Sequence, residues 1–314
     1  SALGGVMTAS PTERASVQSY RFALAMVGGA LVTASTLPLV EFFGGGDQQK
    51  GFSLAVAALS VIAILCFVAC FALTKERVKP VIVRTGGTIN YIAGIWRDFG
   101  RMLQNDQWRI IAIVTFVLLI SVAMRGSVTA YYVRYYLGEE GLISVFMTAG
   151  MIAGVFGALS ANFLSARFCK VRLMKWSTWG IVVSNTIIFF IPPEFVWLAF
   201  GFMLIANFVH MIITPLLFSA VPDTVDYGAK KFGQGAMAMA FSGHLLALKF
   251  GLAIGGAVTG WFLGASGYVA NVDQSESALN AIVMLFSLFS AFAGLIVLFS
   301  LRNYKLTRDF KDTE

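Results

Sequence analysis

Long apolar runs alternate with short polar links along the whole chain. Runs of membrane-spanning length lie near residues 17–42, 52–74, 110–133, 141–165, 173–191, 196–221, 235–264 and 278–301. A helix that crosses a membrane needs about 20 mostly apolar residues, so each run predicts one spanning helix. Glycine and polar residues fill links such as 44–51 and 264–277, which is typical of turns. The pattern therefore predicts an all-α, polytopic membrane protein.

The composition supports this interpretation. The 314 residues are 58% hydrophobic and 12% charged, with a mean hydropathy of +0.78, and one soluble core cannot bury so much apolar surface. Cys66, Cys70 and Cys169 lack the spacing of metal ligands and are interpreted as free thiols, the first two buried in an apolar run. The two histidines are too scattered for a metal site, and no Ser-His-Asp or paired-carboxylate spacing occurs. The sequence therefore predicts neither an enzyme nor a bound metal or cofactor.

The positive charges lie on alternate links. Of the 23 Lys and Arg residues, 18 fall on one side: position 14, the segments 75–109, 167–175 and 230–231, and the tail after 301. The other side holds only Lys50 and Arg134. Because loops rich in Lys and Arg stay in the cytoplasm, the sequence predicts a cytoplasmic C-terminus. The net charge of +7 thus reflects membrane topology, and no nucleic-acid partner is expected.

A long link divides the chain into unequal parts. Residues 109–301 hold six spans, a complete C-terminal bundle, and 302–314 form a cytoplasmic tail. Residues 1–75 hold two spans after a stretch that resembles the end of another helix, so we expect a partial N-terminal bundle in an N-terminally truncated chain. The link at 76–108 is predicted to contain an amphipathic helix on the membrane surface, with a partner for a peptide groove as the alternative. Its apolar residues at helical spacing are Ile89, Ile92, Trp96, Phe99 and Leu103.

Lys249 lies about fifteen residues from either end of its predicted span, near the bilayer midplane. A central lysine costs about 2.5–3.5 kcal/mol on insertion scales, and both interfaces are too far away for the side chain to snorkel. We therefore expect Lys249 to face a watery cavity or a polar partner; a structural interhelical pair is the alternative. The same helix carries small residues that allow another helix to pack closely. These are Gly243, Ala247, Gly251, Gly255, Gly256 and Gly260.

Polar residues form stripes on two further spans. The first stripe comprises Ser121, Arg125, Thr129 and Tyr132. The second comprises Asn207, His210 and Thr214. Residues at such spacing share one helix face. With Lys249, the stripes predict a hydrophilic cavity that suits a polyhydroxylated solute, and substrate-binding roles for Arg125, Asn207, His210 and Thr214.

The stretch "PDTVDYGAKKFGQG" at 222–235 is followed by a lysine 26 residues after its first aspartate. This pattern resembles the signature of the glycoside–pentoside–hexuronide:cation symporters, the melibiose-carrier family of the major facilitator fold. The matching residues are Asp223, Asp226, Tyr227, Gly228 and Lys249. Residues 10–29, 103–109 and 267–282 resemble further segments of the family, so the resemblance covers essentially the whole chain.

The resemblance implies a bacterial inner-membrane carrier that works by alternating access of two bundles, driven by Na⁺ or H⁺. The implied partners are a small-molecule sugar and the lipid bilayer. It places Arg21 and Lys249 at the sugar. It assigns a charged network that closes the cytoplasmic side to Asp223, Asp226, Tyr227 and Lys230. Because the family's cation site uses carboxylates on the second and fourth helices, the coupling ion is expected to bind largely outside this chain.

The chain also departs from the family pattern. Segment 235–237 lacks the family's Arg and Glu before the eleventh helix, so the network is thinner or uses Lys230 and Lys231. Thr214 stands where the melibiose carrier has an aromatic residue.

Two other functions stay open. One is a non-transporting membrane fragment, because half of the presumed site is absent. The other is a carrier of anionic hexuronide-type sugars, because the spans hold three cations and no acidic residue deeper than Glu41.

Overall fold

The structure is a computed structural model, and it describes residues 10–74, 97, 99, 100, 102–232 and 237–306. Within these ranges all regular structure is helical and no strand occurs. The helices are α1 Pro11–Gly44, α2 Gln48–Leu73, α3 Asp106–Tyr131, α4 Ile143–Arg167, α5 Lys170–Phe189, α6 Val196–Phe232, α7 Met237–Ala265, α8 Glu276–Phe286 and α9 Leu288–Arg302. The predicted all-α fold is confirmed.

The helices match the predicted spans. In the described part of the chain, six segments are long and apolar enough to cross a membrane: 49–73, 106–136, 140–167, 196–231, 237–265 and 276–302. The second of these includes a π-helical turn, Tyr132–Tyr136, that extends α3. The last combines α8 and α9, which meet at Ser287, whose N–H and Oγ both donate to the Val283 carbonyl. The remaining two predicted spans, α1 and α5, are more polar and pack among the others.

Helix α6 is longer than its predicted span. It was expected over 196–221, but it continues as one helix of 37 residues to Phe232, through Pro222 and the acidic motif. At 1.5 Å per residue it is about 55 Å long, well beyond the roughly 30 Å of the hydrocarbon core. Its last turns therefore carry the motif past the membrane on a rigid helix rather than on a loop.

Six of the spans pack into one bundle around α3. This helix contacts α7 along one side and α9 along another, while α5, α6 and α4 complete the group. Glycine permits the closest approach: a Cβ at Gly251 would lie 2.6 Å from the Phe116 carbonyl oxygen, and one at Gly255 equally close to that of Ile120. The predicted small-residue contact of this helix is confirmed at these two positions, because small residues let helix backbones approach.

Helices α1 and α2 form a pair beside the bundle. Helix α1 packs against α4 and α6, whereas α2 packs against α1. The outer surface of α2 is apolar and exposed, as suits a lipid-facing helix, with Phe71 87% exposed. Cys66 and Cys70 lie on this exposed surface, so the prediction that both are buried is wrong. Among the described residues, α2 packs mainly against α1.

Two apolar clusters fill the bundle, one towards each end. The first surrounds Trp108, Met174 and Phe241, and the second surrounds Tyr132 and Phe286. A layer of polar residues separates them at mid-height. We call the end nearer the first cluster the basic end. The lysines and arginines there include Arg14, Lys170, Lys231 and Lys305. Most of the amphipathic helix predicted in the link, including Ile89, Ile92 and Trp96, lies outside the described residues.

Candidate functional site

A buried arginine on α1 bridges to α6 at the basic end. Arg14 Nη1 lies 3.2 Å from Asp223 Oδ1 and 2.9 Å from Asp226 Oδ2. The Arg14 side chain is 4% exposed, against 13% for Asp223 and 42% for Asp226. Charge-assisted hydrogen bonds of this kind are about twice as strong as neutral ones. They join the pair α1–α2 to the six-helix bundle.

A lysine on α5 completes the contacts of the buried carboxylate. Lys170 Nζ lies 2.7 Å from Asp223 Oδ2 and donates to the Ser219 carbonyl at 3.3 Å. Asp223 therefore sits between cations from α1 and α5, which balances its charge in a nearly dry setting. We call Arg14, Lys170, Asp223 and Asp226 the basic-end network.

Tyr304, just after α9, is buried beside this network. Burial, and secondarily the Asp223 carboxylate, raises the pKa of the Tyr304 phenol well above its usual value. Its hydroxyl has no hydrogen-bond partner among the described residues. An uncharged phenol ring therefore packs beside the basic-end network.

A second group of contacts ties α3 to the last turns of α6. Tyr227 Oη donates to Asp106 Oδ1 at 3.2 Å, and Lys231 Nζ lies 3.1 Å from the same oxygen. Asn105 caps α3 by accepting from the Trp108 N–H, and its amide donates to the Thr224 carbonyl at 2.8 Å. Gly228 leaves room for that amide, because a Cβ there would lie 2.7 Å from the Asn105 amide nitrogen. Lys231 thus forms an ion pair within the bundle, and its part in the gating network stays a prediction.

A cavity of about 250 Å³ lies in the polar layer between the two apolar clusters. We call it the central cavity. Helices α3, α4, α5, α6 and α9 form its walls, and Met26 of α1 also contributes. The volume is near the lower end of the roughly 300–1,000 Å³ of small-molecule pockets. The polar lining residues are Ser121, Arg125, Thr129, Asn185, Asn207, His210 and Ser290.

Arg125 is the charged residue in the lining of the central cavity. One guanidinium nitrogen donates to the Met203 carbonyl at 3.3 Å, and the guanidinium carbon lies 5.2 Å from the centre of the Phe286 ring. No acidic residue forms an ion pair with Arg125 within the described residues. The guanidinium therefore keeps most of its five N–H donors available to the cavity.

The other polar groups in the wall are held in place by close packing. Gly150 on α4 faces Asn207 so closely that a Cβ there would lie 2.8 Å from the Asn207 amide nitrogen. Ser121 Oγ donates to Ser290 Oγ at 2.9 Å, which joins α3 to α9. For the Asn207 amide and the His210 ring, the described residues supply no hydrogen-bond partner. These two side chains can therefore bind a solute.

The structure brings together only part of the predicted substrate site. Arg125, Asn207 and His210 line the central cavity, as the two polar stripes predict. Thr214 lies outside it, and its hydroxyl donates to the His210 carbonyl one turn back. Tyr132 also lies outside: its ring stacks on Phe286 at 4.1 Å. Both residues are the last of their stripes, so the cavity touches only the earlier residues of each stripe.

Arg21 and Lys249 occupy other positions. Arg21 donates to Gln18 Oε1 at 2.9 Å, and its guanidinium carbon lies 5.0 Å from the centre of the Phe218 ring on α6. Lys249 is exposed on α7, where no hydrogen bond or ion pair reaches it from any described residue. Its exposed helix face also carries Ser242, Leu246, Gly256 and Gly260. For both cations, contact with sugar stays a prediction.

Several residues of the site were missed by reasoning from the sequence. Arg14 and Lys170 were counted only as cytoplasmic charges, because their carboxylate partner is more than 50 residues away on another helix. Asn185 was missed as well, although an amide in the middle of the apolar run at 173–191 is a usable signal. Lys230, predicted to gate, is exposed near the end of α6. The described residues contain no group of three or more His, Cys, Asp or Glu that could hold a metal ion.

Comparison with known proteins places this architecture in a family. A profile described as "MFS/sugar transport protein" matches residues 1–308. The chain belongs to this family. The MFS/sugar transport family consists of membrane transporters rather than enzymes, and the predicted resemblance to the glycoside–pentoside–hexuronide:cation symporters is confirmed. The chain is therefore a multi-pass membrane protein of that group.

Individual relatives support the same family assignment. The "Inner membrane symporter YicJ" and the "Putative glycoside/cation symporter YagG", both of Escherichia coli (strain K12), are each 35% identical over 98% of this chain. The "Isoprimeverose transporter" of Lactiplantibacillus pentosus is 30% identical over 88% of this chain, and the match covers 57% of that transporter. The chain spans 65% of the length of YicJ and of YagG, just under two thirds.

A solved structure supports the fold. FucP, a major facilitator superfamily transporter in the outward conformation, superposes with a TM-score of 0.57 at 16% identity. The match covers 82% of this chain and 56% of FucP. The predicted major-facilitator-type fold is therefore confirmed.

Proposed function

We propose that this protein serves in the transport of a glycoside or pentoside across the bacterial inner membrane, coupled to Na⁺ or H⁺. The observation that carries the proposal is the Arg14 bridge to Asp223 and Asp226, because it joins two groups of helices at one end through contacts that can open and reform. Alternating access needs such a contact on each side of a central site.

The basic-end network supplies the inner gate in this mechanism. While Arg14 and Lys170 hold Asp223, the bundle stays closed at the basic end, which the charge bias predicts to be cytoplasmic. Separation of α1 from α6 opens a path to the inside. Tyr227 and Lys231 hold the start of α3 against the same stretch of α6, so the gate helix moves with its bundle.

The relatives and the motif support a cation requirement. YagG is named a glycoside/cation symporter and YicJ an inner membrane symporter. We extend that coupling to this chain, with Arg21 on α1 and Lys249 on the exposed face of α7 as sugar-binding groups. Sugar hydroxyls accept hydrogen bonds from both side chains.

Uptake by reconstituted protein tests the proposal. The purified protein is placed in proteoliposomes, and entry of radiolabelled methyl glycosides and xylosides is measured with a Na⁺ gradient, with a proton gradient and with neither. We expect saturable uptake that one of the two gradients increases. Absence of saturable uptake under all three conditions would contradict transport and would favour a non-transporting membrane role.

A cross-link tests the gate separately. In a background with Ser at positions 66, 70 and 169, Arg14→Cys and Asp226→Cys are combined and joined by a short bifunctional maleimide. We expect the linked protein to lose uptake, because α1 can no longer leave α6. Each single-cysteine variant treated with the same reagent is the control and keeps its own level of uptake. Undiminished uptake by the linked protein would show that this contact does not open.

A further inference from the structure

The turn between α4 and α5 carries cations that the basic-end network does not use. Arg167 ends α4 and Arg172 lies in the first turn of α5, and both side chains are exposed. Lys175 follows one turn later and is half-buried. Lys170, between the two arginines, is held by Asp223. The other three cations form no ion pair with any described residue, so their charge is left for a partner outside the protein.

Aromatic rings surround these cations on the outside of the bundle. The rings of Phe168 and Trp176 meet edge to face with centroids 5.4 Å apart. The Arg172 guanidinium carbon lies 5.9 Å from the centre of the Trp176 ring, within the reach of cation–π attraction, so the ring holds the guanidinium beside it. Trp176 is 53% exposed. Exposed tryptophan beside basic residues is typical of the level where lipid headgroups meet hydrocarbon.

The exposed side continues from the turn along both helices. On α5, Trp179 and Val183 follow Trp176 at helical spacing and are also exposed. On α4, the exposed Phe163 lies one turn before the terminal arginine. At 1.5 Å per residue this apolar side extends about 16 Å from the first turn of α5. The surface thus has a charged end and a long apolar end. We call it the turn surface: Phe163, Arg167, Phe168, Arg172, Trp176, Trp179 and Val183.

We propose that the turn surface binds an anionic phospholipid from the leaflet at the basic end, which the charge bias predicts to be the inner one. Arg167 and Arg172 hold the headgroup phosphate, and the acyl chains lie along Trp179 and Val183. A planar guanidinium matches the oxygens of a phosphate. A zwitterionic headgroup brings an ammonium group that the arginines repel, so the surface selects lipids of net negative charge. The inference concerns a lipid partner and does not depend on the transported solute.

A second copy of the chain suits the turn surface less well. Most homodimers have two-fold symmetry, in which the same patch of both subunits meets. Such a contact would bring the Arg167 and Arg172 side chains of two subunits together, and like charges repel. An anionic lipid instead satisfies the cations with its phosphate and covers the rings with its chains. Charge complementarity therefore favours the lipid.

Native mass spectrometry counts lipid binding directly. The full chain, purified in detergent, is titrated with dioleoylphosphatidylglycerol or dioleoylphosphatidylethanolamine, which share acyl chains and differ in headgroup. We expect the first phosphatidylglycerol to bind about 10- to 30-fold more tightly, since each arginine near an anionic group contributes about fivefold. Glycerol phosphate in large excess offers the phosphate without the chains. It should not displace the lipid, because the apolar part of the surface contributes to binding.

Matched variants locate the effect. Arg167→Gln combined with Arg172→Gln should abolish the preference for phosphatidylglycerol. Arg109→Gln combined with Arg302→Gln removes two other exposed arginines at the same end, which stack on no aromatic ring within the described ranges, and should keep the preference within about twofold. Trp176→Leu keeps both charges of the turn surface. It should lower the preference about two- to fivefold, because Arg172 loses its ring, and it serves if the first double variant does not fold.

Four results would overturn the lipid site. The first is equal binding of the two lipids by the native chain, and the second is an equal loss of preference in the two double variants. Displacement of the lipid by glycerol phosphate would assign the surface to a soluble anion. A dimer that replaces the lipid adducts, and that disappears when Arg167 and Arg172 are changed, would assign it to a second copy. Sugar uptake enters none of these measurements, so the proposed function is tested separately.

Discussion

Two arginines, the buried Arg14 and the half-buried Arg125, are held in opposite ways. Arg14 at the basic end contacts Asp223 and Asp226, and Lys170 shares the first of these carboxylates. Arg125 in the central cavity contacts a backbone carbonyl and an aromatic ring, with no acidic neighbour among the described residues. The same side chain therefore serves in a complete charge network at one place and in an incomplete one at the other.

The difference indicates what each arginine does. A paired buried charge holds two helices together and is costly to break, which suits a gate. A half-buried charge with unused donors adds less to stability than a paired one, which suits a binding group. Each of the following substitutions alters one side of this comparison.

The largest expected effect comes from removing the shared carboxylate. Asp223→Ala leaves Arg14 and Lys170, both nearly buried, without their common partner. We expect a loss of about 3–5 kcal/mol in the free energy of unfolding, as for other broken buried pairs. The measurement is unfolding in mixed micelles titrated with a denaturing detergent.

Asp226→Ala is the matched control for this experiment. Asp226 contacts the same arginine nitrogen but is 42% exposed, so its removal should cost no more than about 1 kcal/mol. Equal losses for the two variants would mean that burial does not distinguish the two carboxylates, and the gate would not depend on Asp223.

A smaller effect of opposite sign is expected in the central cavity. Arg125→Met replaces an unbalanced charge with an apolar side chain among the methionines of the wall. We expect the free energy of unfolding without ligand to rise by about 1–2 kcal/mol, because the desolvation cost of the charge is removed. A large destabilisation in the same detergent titration would show that Arg125 is a structural residue, as Arg14 is.

The smallest effect concerns the buried phenol beneath the basic-end network. Tyr304→Phe removes a hydroxyl that lacks a partner, so at neutral pH we expect a change between zero and about 1 kcal/mol in favour of the variant. The folded protein raises the pKa of Tyr304 above the ordinary value of about 10. Its contribution to stability is therefore complete below pH 10 and is lost as the pH rises towards the folded pKa.

The pH profile of unfolding distinguishes the two proteins. Above pH 10 the native chain should lose stability more steeply than Tyr304→Phe, while below pH 9 the two curves should run parallel. Identical slopes at high pH would mean that Tyr304 ionises in the folded state as it does in water. The ring would then lie open to solvent rather than against Asp223.

The helices could be predicted because each must satisfy its backbone inside lipid. Eight apolar runs correspond to seven helices and the pair α8–α9, and the spacing of Ser121, Arg125 and Thr129 placed three groups on one wall of the central cavity. Such patterns depend on local periodicity alone. The family motif added the acidic residues at 223 and 226, which do lie together at the basic end.

Pairing between distant helices could not be predicted. Nothing near Arg14 in the sequence indicates that its partners are on α6, because the contact depends on how α1 tilts against the bundle. The end of α6 was misplaced for a related reason: Pro222 and the polar motif resemble a turn, yet one proline removes a single backbone N–H and does not end a helix. Lys249 was expected beside a watery cavity or a polar partner because of its charge and its depth in the span. Neither property determines the direction of a side chain, so its role stays a prediction.

Helix α6 carries both halves of the comparison, with Asn207 and His210 near its middle and Asp223 about 24 Å further along at 1.5 Å per residue. Pro215 and Pro222 lie between His210 and Asp223, and each lacks the backbone N–H that would donate within the helix. A solute that shifts the middle of α6 therefore displaces the carboxylates at its far end. Mechanical coupling along this one continuous helix would let a solute in the cavity loosen the Arg14 contacts without help from another element.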